Sequence, residues 1–96
     1  MARETDEDEL AALRDRLHAA RCRVRTAYDR LDLLADLVDI TTIAGRIGLR
    51  CDLILALDEA QCATRAAEAD MKDAEYALAV AMAALTVEQR RGESAA

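Results

Sequence analysis

Four aspartates, Asp29, Asp32, Asp36 and Asp39, recur at i, i+3, i+7 and i+10, a spacing that lines their carboxylates along one stripe of a helix. Paired helical carboxylates can hold a divalent metal, but such sites need acids converging from facing helices, and the di-iron form adds a Glu-x-x-His pattern. The chain has no Glu-x-x-His, and Asp32 and Asp39 fall away from the apolar seam described below, so the stripe reads as a solvated face. No metal or other cofactor is expected. His18 is the only histidine, at an outer heptad position with no Ser or Cys spaced for nucleophilic chemistry, and reads as a surface residue. Cys22, Cys51 and Cys62 are odd in number and form no CxxC, which points to reduced thiols of structural or incidental role, since free cysteine tends to be buried. Gly45 and Gly48 in Ile43-Ala44-Gly45-Arg46-Ile47-Gly48 follow no strand, so a turn is expected there and not a phosphate-cradling loop. Tyr28 and Tyr76 read as packing or interface residues.

Charge narrows the partner classes. A net charge of −6 argues against general affinity for nucleic acid or an anionic membrane, both of which call for a basic surface. The balance is uneven, however. Residues 3–9 carry five acids against Arg3, whereas residues 14–30 carry Arg14, Arg16, Arg21, Arg23, Arg25 and Arg30 against Asp15 and Asp29. One chemical use for such a stretch is an anion clamp made by Arg14, Arg21, Arg25 and Arg30. The other is structural.

The elements that would position these groups are helices. Ninety-six residues with no Pro, three Gly, no Phe or Trp and an abundance of Ala, Leu, Arg, Asp and Glu favour an all-α single domain with a modest core. Residues 1–5 are expected to be unstructured, with Thr5 or Asp6 as the N-cap of a first helix over about 6–42. From Leu10, apolar residues fall at alternating spacings of three and four through Leu13, Leu17, Ala20, Val24, Ala27, Leu31, Leu34 and Val38 to Thr41. A turn is expected at 43–48. A second helix, about 49–90, repeats the pattern with Leu53, Leu57, Ala60, Thr64, Ala67, Met71, Ala74, Leu78, Ala81 and Leu85, ending before Gly92 and an unstructured 92–96. The acidic N-terminus lacks the character of a signal peptide, and the longest uncharged apolar run, 76–85, is short of the roughly 20 residues a bilayer needs. Cytoplasmic residence and no membrane partner are therefore expected.

The two stripes predict an antiparallel two-helix hairpin, coiled-coil-like, with an alanine-rich seam. In such a hairpin facing residues have numbers adding to a constant, and 91 centres the fold on Gly45–Arg46. That register sets Leu17 against Ala74, Val24 against Ala67, Leu31 against Ala60, Met71 against Ala20 and Leu57 against Leu34, so that bulky mostly meets small. A larger side chain at Ala67 should therefore overpack. The same register sets Arg14 near Glu75, Arg21 near Glu68 and Arg23 near Asp70, a structural account of the basic stretch in which the pairs select register more than they stabilise.

A second apolar face remains. Leu33, Leu37 and Ile40 occupy another side of helix one, and Leu49, Ala56, Val80 and Val87 lie on the corresponding side of helix two. A flank of this kind marks an association surface, and a two-fold homodimer forming a four-helix bundle is the expected way to cover it.

Two family resemblances bear on activity. The stretch Val24-Arg25-Thr26-Ala27-Tyr28-Asp29-Arg30-Leu31-Asp32, with Ile43-Ala44-Gly45-Arg46-Ile47-Gly48, is similar to the long first helix of all-α chorismate mutases, about a quarter of the chain. It implies a small dimeric all-α enzyme or a degenerate relative, with Ile40 or its neighbours and Cys51 standing where that family has an arginine and a lysine. The hairpin length and central Gly45 resemble the secreted WXG-type helical hairpins, with Ile43 in the tryptophan position. Beside these, the residues themselves point to a non-catalytic protein-interaction module, whether adaptor, assembly factor, regulator or phage-type inhibitor, partnered by itself and by another protein.

Overall fold

The structure, a computed structural model, describes residues 2–95, with side chains described for 7–93. It is a hairpin of two long helices, α1 (Ala2–Ile43) and α2 (Ile47–Ala95), packed antiparallel. The rod measures 76 × 17 × 14 Å and has a radius of gyration of 21.5 Å, against about 12–13 Å for a compact chain of this length. Both helices run past the limits read from the sequence: 2–5 and 92–95 are helical, while Met1 and Ala96 lie outside the described residues. Ala, Arg and Glu at these ends are good helix formers, and a single glycine costs a helix only about 1 kcal/mol relative to alanine, too little for Gly92 to stop α2.

The turn is tighter than expected, occupying 44–46 in place of 43–48. Gly45 adopts φ +70°, the left-handed conformation open to glycine at little cost. The amide of Arg46 donates to the carbonyl of Thr41 (3.0 Å) and that of Gly45 to Thr42 (3.2 Å), the paired bonds of a Schellman cap. The Arg46 carbonyl then accepts from the Arg50 amide (2.9 Å), opening α2 at once. Gly48 is inside α2, one residue past its start. Arg46 is thus the last residue of one cap and the first of the next.

All twenty heptad positions are buried or half-buried along the seam. Leu17, Ala20 and Ala74 form its tightest cluster, with Met71 and Leu78 packed against it. Two polar seam residues, Thr41 and Thr64, are buried without loss, because their hydroxyls donate to carbonyls of their own helix: Thr41 to Leu37 (3.0 Å) and Val38 (2.9 Å), Thr64 to Ala60 (2.8 Å).

Two helices can cover each other on one side only. Among the described residues, Leu17 is the one large apolar residue that is buried, at 7 % exposure, and the other buried apolar residues are alanines. The accessible surface is 7454 Å², about 2,000 Å² more than the roughly 5,400 Å² of a compact monomer of this mass.

Candidate interaction surface

The uncovered apolar surface is concentrated near the turn. Leu33 and Ile40 are each 59 % exposed, Ile43 is 88 % exposed, and Ile47, Leu49, Ile54 and Leu55 are exposed around them. The cause is local. At i, i+4 and i+7, Leu33, Leu37 and Ile40 share a helix side turned off the seam, and the hairpin leaves Leu33 and Ile40 uncovered. Of the other residues assigned to this flank, Leu49, Val80 and Val87 are exposed, whereas Leu37 and Ala56 are half-buried at its edge.

Halfway along the rod, alanines leave a hollow of about 390 Å³ between Cys22, Arg23, Thr26 and Arg30 of α1 and Ala60, Ala63 and Ala67 of α2. Ala67 stands on its wall, half-buried, so a larger residue there has room that the predicted overpacking did not allow for. A smaller gap of about 240 Å³ at the open end is bordered by Glu9, Leu10, Leu85 and Glu88. Both are open depressions with walls largely of alanine or leucine, and neither gathers polar groups onto a single point.

The residues suited to chemistry are dispersed. Asp29, Asp32, Asp36 and Asp39 are exposed, and among the described residues no group of three or more potential ligands is placed to hold a metal. Arg14, Arg21, Arg25 and Arg30 are exposed too, and do not converge on a dry pocket. The three cysteines are free, and all are exposed, against the burial their type suggested: none lies on the seam, and a two-helix rod has no other interior. One proximity escaped the sequence reading. Cys22 Sγ lies 3.7 Å from His18 Nε2, brought there by their i, i+4 spacing on an outer face of α1. The neighbouring Thr26 hydroxyl bonds the Cys22 carbonyl at 3.0 Å.

Across the seam, the Tyr28 hydroxyl donates to Glu68 Oε1. This bond, and then the negative charge of Glu68, hold the Tyr28 hydroxyl's pKa above its ordinary 10.0, with a small addition from desolvation. Glu68, half-buried, is thus engaged by a residue the register arithmetic had not paired with it; the numbers 28 and 68 add to more than 91, and only a long side chain bridges that offset. Arg14, Arg21, Arg23, Asp70 and Glu75 stand exposed along the same edges.

Comparison with protein-family models, curated proteins and solved structures finds no match to this chain. Among the described residues, no helix is long and apolar enough to cross a membrane.

Proposed function

We propose that the chain is a non-catalytic interaction module, a helical hairpin that works by laying its apolar flank against helices of a second molecule, as an adaptor, assembly factor, regulator or inhibitor. The observation that carries this reading is the flank itself: Leu33 and Ile40 are more than half exposed on a rod with about 2,000 Å² of surface beyond that of a compact chain. The exposure of Arg14, Arg21, Arg25 and Arg30 weighs the same way, since an anion clamp needs its guanidinium groups gathered and desolvated. The partners are a second copy of the chain and a protein bearing an amphipathic helix.

Leu37→Glu and Ile40→Glu each place a carboxylate on the flank while leaving the seam residues untouched. The expected outcome by sedimentation equilibrium is that wild-type protein assembles and both variants stay monomeric, with helical circular dichroism retained. Ile40, exposed in the hairpin, serves as the control for any loss of folding at half-buried Leu37. Wild-type and variant chains that behave identically, both in sedimentation and in capture of a protein partner from host cells, would refute the reading.

A further inference from the structure

From the arrangement of the flank near the turn, we infer that two copies of this chain overlap by their turn ends, antiparallel, about a two-fold axis passing between Leu37 and Ile40. The inference rests on the interaction-module reading and adds to it the occupant and the geometry. The flank reads the same in both directions. Leu33, Leu37 and Ile40 of α1 and Ala44, the first turn residue, whose amide still donates to the Ile40 carbonyl (3.0 Å), are spaced by four, three and four, a sequence symmetric about its midpoint. A two-fold contact requires such self-complementarity, because each residue that meets a second must be met by it in the other copy. About this axis Leu33 meets Ala44 and Leu37 meets Ile40.

The second helix supplies an independent agreement. Since α1 ends at Ile43 and α2 begins at Ile47, and Leu17 packs beside Ala74, residues whose numbers add to about 91 share one level of the rod. On that scale Leu49 lies level with residue 42 and Ala56 with residue 35, placed symmetrically about the same axis. Leu49 of one copy then meets Ala56 of the other, again large against small, as in the seam.

Charge selects this overlap over a side-by-side dimer with both turns at one end. Residues 29–39 carry Asp29, Asp32, Asp36 and Asp39 against Arg30, while the turn end carries Arg46 and Arg50. Side by side, each segment would lie level with its own copy, acids with acids and arginines with arginines. Overlapped, Arg46 lies at the level of Asp29 and Asp32 of the second copy and Arg50 at the level of Asp36, while Asp39 alone lies beside its own counterpart, so the balance of charge favours this orientation. The overlap runs about 20 Å along rods 17 Å wide, short of the roughly 800 Å² per partner of a standard interface, so the dimer belongs at the small, dissociable end of the range.

The test is length and mass together, over a concentration series of the full chain. At about 1.5 Å per residue the turns pass each other by about 20 Å, so two 76 Å rods give a dimer with a maximum dimension of about 130 Å in small-angle X-ray scattering. Nitroxides on Arg14→Cys, with Cys22, Cys51 and Cys62 changed to serine, should then lie roughly 70 Å or more apart by dipolar spectroscopy. A dimer about 80 Å long with close nitroxides would overturn the axis proposed here and leave the module reading intact. A monomer at every concentration would overturn it too, and the module reading would then be judged separately by capture of a different protein.

Discussion

Two glycines three residues apart should respond to the same substitution in opposite directions. Gly45 holds φ at +70°, and a Cβ built on it meets nothing within 4 Å. The cost of Gly45→Ala is therefore one of backbone conformation alone, about 1–2 kcal/mol for an L-residue in the left-handed region. Reduced freedom of the unfolded chain returns about 0.4–1 kcal/mol, leaving a net loss of about 1 kcal/mol. Gly48 is helical, and its Cβ position is equally open. There the helical geometry suits alanine, and Gly48→Ala should stabilise by about 0.5–1 kcal/mol. The two variants thus differ by about 1.5–2 kcal/mol although each adds one methyl group to open space. Urea titration followed by circular dichroism, at one protein concentration because the proposed assembly would shift the midpoint, reads this as midpoints moving apart around wild type with unchanged slopes. Movement in the same direction, or a Gly45→Ala chain as stable as wild type, would show that the turn is not built on a left-handed glycine cap.

Further substitutions probe the seam, the turn and the bridge between the helices. Ala74→Leu, at a site 1 % exposed, should cost about 1–3 kcal/mol by overpacking, while Ala67→Leu, on the wall of the mid-rod hollow, should leave the melting temperature within a few degrees of wild type; equal losses would mean that the hollow is not there. Arg46→Asp replaces a residue with no capping acceptor by one that accepts from the first amides of α2 and suits the positive end of its dipole, so a gain of about 0.5–1 kcal/mol is expected in urea titration at a protein concentration low enough to keep the chain monomeric. Tyr28 binds its proton more tightly folded than unfolded. Its contribution is complete below the ordinary tyrosine range near 10.0 and is lost as pH rises through the higher folded value, so in a Tyr76→Phe background absorbance at 295 nm should show phenolate forming above that range, and Glu68→Gln should bring it back down.

Periodicity carried the hairpin. A three-four spacing sustained over nine steps in each helix, as through Leu17, Ala20, Val24 and Ala27, has one geometric solution, and each of those residues is buried or half-buried. Element limits were less legible, because they depend on small energies. Gly92 lowers helix stability too little to terminate α2, and the turn closes over 44–46 because Gly45 can cap α1 while Arg46 opens α2 without an intervening residue. Side-chain reach was hidden as well. The residue-number rule places backbones at one level, so it could not foresee Tyr28 reaching past its own level to Glu68, whereas the i, i+4 spacing of His18 and Cys22 was open to inspection. The flank was visible as pattern, but not how much of each residue it leaves uncovered: Leu33 and Ile40 stand well out, while Leu37 and Ala56, nearer the seam, are half-buried.

The two halves of the rod differ in how their outer faces are built. Around the tight cluster of Leu17, Ala20 and Ala74, many outward positions of α1 are held by Arg14, Arg16, Arg21, Arg23 and Arg25, residues that keep their charges in water, and the exposed apolar residues at that level, Tyr76 and Val80, stand on α2. Toward the turn the arrangement inverts. The seam there buries Thr41 where a leucine would hold the helices harder, and the bulky aliphatics Leu33, Ile40, Ile43 and Ile47 stand outward. A hairpin built only for its own stability would have these residue types exchanged, with the aliphatics inside and the polar group out. The observed order leaves the turn end with little apolar packing of its own and its aliphatics open to another apolar surface, so the association proposed above would draw on the residues that this end leaves unburied on folding.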